Sequence, residues 1–286
     1  MNIPAQLVSK LREKTGAGMM ECKKALVECD GDFEKATDLL RVRGKAGAEK
    51  RAARAAAEGV ATATVRGNVA AMIELNSETD FVARNNEFRE AAEIAVVLAA
   101  LTGIEDVEVL RQQTIPEALG RHVGDKLGNV LDDMTSRMRE NIVLRRAAVL
   151  KAEEGELVNA YIHTVTNKIA VLVKLRGDAS NPDHATLARN IAMHIAASKP
   201  DYIRREDVPE EVLQRERQVL ADKTRAEGKP EAAIPKIVEG RLSKFYEQVC
   251  LLDQPYVREP SQKVSVVLQD AGADVVAFRM FVVGQE

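Results

Sequence analysis

The residues with the clearest chemical potential lie in the stretch 76–85, where an acid, Asp80, precedes an aromatic residue, Phe81. The chain has only six phenylalanines, four tyrosines and no tryptophan in 286 residues. Asp80 could act as a general acid or base, but no second carboxylate stands at a telling spacing from it. Phe81 therefore needs the explanation, since an aromatic side chain in a polar loop can anchor a partner protein.

Two interpretations of Phe81 stay open at this point. The side chain could fold back and cap its own hydrophobic core, or it could project into a pocket of a partner. Scattered apolar residues are common in loops, which favours the first interpretation on physical grounds alone.

Other chemistry is hard to find in this sequence. The four histidines are dispersed and form no HExxH motif: His122, His163, His184 and His194. We expect His163, at the end of a predicted strand, to contact a partner and His194, in an Ala/Ile-rich helix, to lie in the core. No GxSxG motif or phosphate-binding glycine loop occurs. We therefore expect no cofactor, no metal and no covalent catalysis.

Composition narrows the class of protein further. A net charge of −3 gives no overall basic field for nucleic acid, and no run of about 18 apolar residues could span a membrane. The three cysteines form no CxxC pair: Cys22, Cys29 and Cys250. Their odd number, and an N-terminus without a signal pattern, indicate a cytoplasmic protein. At roughly 100–200 residues per domain, the length predicts two or more units.

The elements that must position Asp80 and Phe81 begin with three helices. Apolar spacing predicts a first helix ending at 15–18, a second over about 19–28, and a third that Asp32 caps and Gly44 ends. Of the adjacent Met19 and Met20, we expect one in the core and the other partly exposed. Residues 45–58 read as a helical or flexible linker, whose basic side chains are more typical of a solvated segment than of a phosphate contact.

An internal repeat follows the linker. Strands are predicted over 60–65 and 69–75 before the central stretch, and over 157–163 and 168–176 further on. A helix follows each pair. The helix bodies 91–100 and 188–197 are identical at five of ten aligned positions. The chain therefore carries two copies of a strand–strand–helix unit.

The repeat bears on Phe81. Its second copy places residues 177–183 between strand and helix, with no aromatic among them. If Phe81 merely capped such a unit, the second copy should have a cap of its own. The comparison favours a specialised role for Phe81.

The rest of the sequence predicts further elements. Residues 104–139 read as helical with a break near 115–116, and a strand is predicted over 141–150. Helices over 208–227 and 232–246, joined by a short turn, must form an antiparallel hairpin. It could contact another subunit or pack wholly against its own core. A short helix over 264–270 and a last strand over 274–283 complete the chain.

Three gap-free stretches resemble a known family. They are residues 11–26 (LREKTGAGMMECKKAL), residues 79–85 (TDFVARN) and residues 191–200 (IAMHIAASKP). Together, and in this order, they resemble bacterial elongation factor Ts, the guanine-nucleotide exchange factor of elongation factor Tu. Many members continue into a C-terminal helix after the last strand, and this sequence departs from that pattern.

The resemblance implies an α+β fold with a UBA-like N-terminal domain, a core of two repeated subdomains with antiparallel sheets, and an inserted helical hairpin. In residue numbers we expect the UBA-like domain at 1–44 and the linker at 45–58. The first subdomain would occupy 59–140, and the second 141–200 and 247–286. The hairpin, of a dimerisation type, would occupy 201–246.

The resemblance also implies function, partner and site. The chain would bind elongation factor Tu in its GDP-bound and nucleotide-free states and promote GDP release. Its exchange loop would comprise Thr79, Asp80, Phe81, Val82, Arg84 and Asn85. Arg12, Met19, Met20 and His163 would make further contacts. A homodimer or a 2:2 complex through the hairpin stays open.

Two other classes of function remain. The N-terminal helices could make the chain a general protein-binding adaptor, in which case removing residues 1–44 would abolish binding and changing Phe81 would not. Alternatively, Asp80 could serve a hydrolase, whose turnover would need no GTPase and would be lost in Asp80→Asn.

Overall fold

Three helices form the N-terminal part of the chain in the computed structural model, which describes residues 3–51 and 54–285. They are α1 (Ala5–Thr15), α2 (Met19–Glu28) and α3 (Phe33–Arg51). Gly16, with a φ of 66°, ends α1 in the left-handed conformation that suits glycine. Asp32 caps α3 by accepting hydrogen bonds from the N–H groups of Glu34 and Lys35. The helices enclose a small core of their own, centred on Leu11, Cys22, Leu26 and Ala36.

The third helix is longer than the sequence predicted. We expected Gly44 to end it, but α3 continues to Arg51. An interior glycine costs a helix only about 1 kcal/mol relative to alanine, and the Ala, Lys, Glu and Arg residues that follow are good helix formers. Much of the predicted linker is therefore helical. Ala52 and Ala53, and the basic side chains of Lys45, Lys50 and Arg51, lie outside the described part of the chain.

Two antiparallel three-stranded sheets form the central layers. The first has the order β1-β2-β3, with β1 at Glu58–Arg66, β2 at Val69–Ser77 and β3 at Val143–Lys151. The second has the order β4-β5-β8, with β4 at Glu156–Ile162, β5 at Ile169–Arg176 and β8 at Asp274–Val282. A helix follows the second strand of each sheet: α5 (Asn86–Thr102) and α8 (Pro182–Ser198). The predicted strand–strand–helix repeat is confirmed.

The strand β3 corrects one expected boundary. We expected residues 141–200 to belong to the second subdomain, but β3 pairs with β2 in the first sheet. The pairing is long-range, and its register shifts between Glu74 and Leu75, just as the register of β5 with β8 shifts between Lys174 and Leu175. Each unit thus receives its third strand after an insertion. We propose that the subdomain boundary lies just after β3.

The two units pack sheet against sheet, with a helix on each outer face. α5 covers the first sheet with a core that includes Ile73, Leu75 and Phe88, and α8 covers the second sheet in the same way. Between the sheets lies a core rich in alanine: Ala61, Ala70, Ala148, Ala170, Met72 and Leu172. The small side chains let the sheets approach closely.

The insertions carry the remaining elements. Between α5 and β3 lie α6 (Val107–Arg111), a 3₁₀ turn at Glu117–Leu119 and α7 (Leu127–Met138). Between α8 and β8 lie α9 (Glu210–Ala226), α10 (Ile234–Val249), β6 (Pro255–Tyr256), β7 (Glu259–Lys263) and α11 (Val264–Asp270). The predicted break near 115–116 therefore falls between α6 and α7.

The helices α9 and α10 form the predicted antiparallel hairpin, and they bury much of their apolar stripe against each other. The buried residues are Ile234, Val238 and Leu242 of α10, which pack with Leu220 and Ala221 of α9. A second cluster at the base of the hairpin joins Leu213 to Tyr202 and Cys250. Across the described ranges, no helix has the length and apolar character that crossing a membrane requires.

At Gly59 the backbone of β1 lies very close to that of β2 at Leu75 and Asn76, where the central stretch begins. The φ of Gly59 is 146°, and a Cβ there would lie 2.2 Å from the carbonyl oxygen of Leu75. We expect Gly59→Ala to lower the free energy of unfolding by about 2–3 kcal/mol, because strand β1 must move away from β2. Gly67→Ala is the matched control, since its φ is also positive but a Cβ there would have no described residue within 4 Å apart from its chain neighbours. Equal urea midpoints for the two variants would contradict this account.

Candidate partner-binding site

The central stretch is more ordered than the predicted loop. Strand β2 runs on to Ser77, and residues Asp80–Ala83 form the one-turn helix α4. Thr79 caps this helix by accepting a hydrogen bond from the N–H of Val82 at 3.4 Å. Ala83 is buried and Val82 packs against the first core. α4 is therefore tied to the body of the first unit.

Phe81 points away from that body. Its side chain is 82% exposed, although both of its C-terminal neighbours on α4 pack inward. The interpretation that Phe81 caps its own core is wrong for this structure. In the second unit, Asn181 caps α8 and no aromatic is present between strand and helix, so the repeat folds without such a cap. The exposed phenyl ring is available to a partner.

The other residues of the predicted exchange loop have structural contacts. Arg84 forms an exposed ion pair with Asp80 at 3.0 Å, one turn along the same segment. Asn85 caps α5 by accepting a hydrogen bond from the N–H of Glu87 at 2.8 Å. An exposed pair of this kind contributes about 0–1 kcal/mol, so Asp80 and Arg84 remain available to rearrange against a partner.

Two carboxylates that the sequence analysis missed hold the start of this segment. Glu140 accepts hydrogen bonds from the N–H groups of Glu78 and Thr79, at 3.1 and 3.0 Å, and from the hydroxyl of Thr79 at 2.5 Å. Glu78 in turn accepts a hydrogen bond from the N–H of Asn141 at 2.7 Å. Residues 78–79 and residues 140–141 are thus joined by hydrogen bonds in which each segment contributes both donor and acceptor groups.

The N-terminal helices are joined to α7 beside these hydrogen bonds. Arg139 forms an ion pair with Glu21 of α2 at 3.2 Å. Gly16 leaves room for the side chain of Arg137, because a Cβ there would lie 2.3 Å from its Cδ. A cleft of about 830 Å³ separates the two parts, and Arg12 is among the residues that line it. Both acidic and basic side chains face this cleft, so it has no single charge preference.

Met19 and Met20 are both exposed, at 46% and 63%. The expectation that one of them lies in the core is wrong. α2 buries Cys22, Ala25 and Leu26 instead, and its first turn extends beyond the small core that these residues share. Two flexible apolar side chains are therefore presented together at the surface.

His163 lies directly after β4. Its Nδ1 atom lies 3.1 Å from the hydroxyl of Tyr161, and its side chain is half-buried. Val165, in the turn that follows, is 84% exposed. The expectation that His163 contacts a partner stays a prediction.

His194 is a core histidine, as the sequence predicted. It is fully buried in α8, where its Nδ1 accepts a hydrogen bond from the N–H of Val257 at 3.1 Å. Its Nε2 therefore carries the proton and donates it to Gln254 Oε1 at 2.9 Å. Burial lowers the pKa of His194, and the hydrogen bond that the ring donates to Gln254 opposes this only in part. The ring is therefore neutral in the folded protein at pH 7.

This histidine makes stability depend on pH. The unfolded chain binds a proton at His194 near the ordinary pKa of 6.5, whereas the folded chain binds it only at a lower pH. Stability is therefore complete above that pH and falls as the pH drops below it, by at most about 1.4 kcal/mol per pH unit. We expect the urea midpoint to fall less steeply between pH 7.5 and 5.5 in His194→Gln than in the wild type. A slope in His194→Gln equal to that of the wild type would contradict this account.

Comparisons with known proteins agree with this arrangement. A family model described as elongation factor Ts matches residues 78–285, a range that includes α4, both helical insertions and the second sheet. The elongation factor Ts of Micrococcus luteus is 44% identical over 285 residues, covering 99% of this chain and 99% of that protein. That of Magnetococcus marinus is 44% identical over 275 residues, covering 96% of this chain and 88% of that protein. With its repeated α+β core and its inserted hairpin, this chain belongs to the elongation factor Ts family.

Proposed function

We propose that this chain is a guanine-nucleotide exchange factor that binds elongation factor Tu and promotes the release of GDP in the cytoplasm. The observation that carries the proposal is the 82% exposure of Phe81 on a one-turn helix whose next two residues, Val82 and Ala83, pack against the core. Membership of the elongation factor Ts family supports the choice of partner.

The proposed mechanism depends on the free energy that the exposed ring of Phe81 gains when a partner buries it. Phe81, with Asp80 beside it, inserts between helices of the GTPase domain of elongation factor Tu. Burial of the ring is worth roughly 1.5–3 kcal/mol. The displaced elements of that domain help to hold Mg²⁺ and the phosphates, so GDP leaves faster once they move. GTP then rebinds and displaces the exchange factor. Because no covalent bond is made or broken, the chain is not an enzyme in the usual sense.

Other surfaces complete the contact. Met19 and Met20, both exposed, touch the GTPase domain from the side, together with Arg12. Methionine suits this role, because its flexible thioether adapts to an apolar surface. His163, held by Tyr161, contacts the third domain of elongation factor Tu. The exchange loop and the N-terminal helices thus approach the same domain of the partner.

The hairpin is proposed as a separate contact. α9 and α10 bury their apolar stripe against each other, so an interface on this hairpin would use their outer, charged faces with Val219, which is 52% exposed. We propose that a homodimer or a 2:2 complex with elongation factor Tu would form there. Sedimentation of the chain at rising concentration tests this directly.

Reciprocal coupling between nucleotide and exchange factor tests the proposed function. Since GDP and this chain oppose each other on elongation factor Tu, each must weaken the binding of the other by the same factor. We expect the Kd of the chain for elongation factor Tu to rise about 5–150-fold when GDP saturates the GTPase. Titration calorimetry with and without GDP measures this factor. Equal affinity in the two states would rule out an exchange mechanism and favour an adaptor.

A further inference from the structure

Glu140 occupies an unusual place between α7 and β3. Arg139 ends α7 with a φ of 61°, in the left-handed region that few residues other than glycine adopt. This turn brings the carboxylate of Glu140 against the backbone of residues 78 and 79. It accepts three hydrogen bonds there, from two N–H groups and one hydroxyl, at 2.5–3.1 Å. Neither N–H group belongs to a strand or a helix.

The contact is reciprocal. Glu78 donates a hydrogen bond from its N–H group to Glu140. Its own carboxylate accepts hydrogen bonds from the N–H of Asn141 at 2.7 Å and from the guanidinium of Arg54 at 3.4 Å. Ser77 adds a hydrogen bond to the carbonyl of Thr79 at 2.9 Å. Hydrogen bonds that involve a carboxylate are stronger than neutral ones. The segment between β2 and α4 is therefore fixed by groups 61–63 residues away in sequence.

α4 cannot fix itself. It contains four residues, and a helix of one turn has too few hydrogen bonds to offset the ordering of its backbone. Its direction depends on Val82 and Ala83 on one side and on residues 78 and 79 at its start. The hydroxyl of Thr79 caps α4 and also donates a hydrogen bond to the carboxylate of Glu140. Moving Thr79 would turn the helix and displace the phenyl ring of Phe81.

The turn that carries Glu140 is itself held. Arg137 forms ion pairs with Glu87 of α5 and with Asp133, both at 2.9 Å. Arg139 is paired with Glu21 of α2. The position of the Glu140 backbone is therefore set by α5 and α2, and the carboxylate transmits that position to Thr79.

We propose that Glu140 is a positioning residue, whose carboxylate holds Thr79 so that α4 presents Phe81 in one fixed orientation. This inference rests on the proposed exchange function for its consequence, but the orientation of residue 81 can be measured without a partner. Glu140 acts through Phe81 and does not itself contact nucleotide.

The first test uses the absence of tryptophan from the chain. A Phe81→Trp variant carries one indole at the exposed position, and excitation at the red edge of its absorption avoids tyrosine. We expect Glu140→Ala in this background to lower the steady-state fluorescence anisotropy of the indole. Glu140→Gln should restore most of it, because an amide oxygen can accept the same backbone hydrogen bonds.

Glu105→Ala is the matched control for this experiment. Like Glu140, Glu105 is an acid that accepts a hydrogen bond from a backbone N–H group, in this case that of Val149 in β3 at 2.6 Å. Val149 lies six residues further along the strand than Val143, which pairs with Asn76 near the site. We expect no change in anisotropy in Glu105→Ala. An equal anisotropy in the Glu140→Ala, Glu105→Ala and parent proteins would overturn the proposal, whatever the function of the chain.

The second test is a double-mutant cycle on GDP release from elongation factor Tu. We expect Glu140→Ala to lower the release rate constant at saturating exchange factor about tenfold, which corresponds to about 1.4 kcal/mol. In the Phe81→Ala background the same change should have no further effect, because there is no ring left to orient. A full additional loss in that background would show that Glu140 acts on stability or on another contact, and would overturn the proposal.

The outcomes separate this inference from the proposed function. If the wild-type chain and Glu140→Ala accelerate release equally while Phe81→Ala does not, the function stands and the positioning role fails. If the wild-type chain gives no acceleration, the proposed function fails, and the anisotropy result alone decides whether Glu140 orients residue 81.

Discussion

Replacing Phe81 with alanine will lower the GDP-release rate constant of elongation factor Tu, measured at a fixed subsaturating concentration of this chain, by about 10–100-fold. The ring is 82% exposed in the free chain, so the substitution removes contact with the partner and not with the core. Loss of a buried aromatic anchor costs an interface about 1.5–3 kcal/mol, which gives this range. For the same reason, we expect the thermal unfolding midpoint to stay close to that of the wild type.

A matched control is Leu101→Ala. Leu101 is also apolar and 53% exposed, but it lies in the last turn of α5, whose first turn follows α4. We expect wild-type exchange from this variant. If Leu101→Ala and Phe81→Ala are equally impaired, general loss of apolar surface would explain the effect. If neither is impaired, the wedge must be assigned to other residues, such as Asp80 or the pair Met19 and Met20.

The second large effect concerns stability and centres on Glu74. This carboxylate is fully buried in β2, where it forms an ion pair with Arg146 of β3 at 2.7 Å. It also accepts hydrogen bonds from the Asn76 side chain and from the N–H of Gly284. Arg146 also donates hydrogen bonds to the carbonyl oxygens of Val282 and Gln285, at 3.2 and 3.0 Å. One ion pair, whose carboxylate is fully buried, thus joins the first sheet to the end of β8.

We expect Arg146→Met to lower the free energy of unfolding by about 3–5 kcal/mol, because Glu74 would be left buried without its counter-charge. The double variant Glu74→Met with Arg146→Met should lose less than Arg146→Met alone, since no uncompensated charge remains. Denaturant titration of both variants measures these differences.

An exposed ion pair provides the comparison. Arg121 pairs with Glu90 at the surface, and Arg121→Met should cost about 0–1 kcal/mol. If Arg146→Met were no more destabilising than Arg121→Met, the buried pair would not hold the two sheets together in the way described.

Local patterns were enough to predict most of the elements. The strands of both repeats, the capping of α3 by Asp32 and the hairpin follow from periodicity and turn residues within short windows. The errors arose where local signals compete. Gly44 resembles a helix stop, yet the helix-forming residues after it outweigh the cost of one glycine. The strand predicted over 141–150 is present at Val143–Lys151, but which sheet it joins depends on a partner about 75 residues earlier.

The candidate site, like the fold, was predicted where the signal is local and missed where it depends on distant residues. Phe81 stood out because an aromatic residue is rare in this chain and the second repeat lacks one. Glu140 gave no signal, because its three hydrogen bonds reach back 61–62 residues and one acid between two elements resembles any solvated charge. The exposure of both Met19 and Met20 was missed because the size of the N-terminal core cannot be read from the spacing of two residues.

The measurement that tests the central claim most directly is stopped-flow release of a fluorescent GDP from elongation factor Tu on mixing with the intact chain. We predict that the observed rate constant rises with the concentration of the chain and then saturates, as expected for a complex from which GDP leaves faster. A rate constant that stays at the spontaneous value at every concentration would contradict the exchange function.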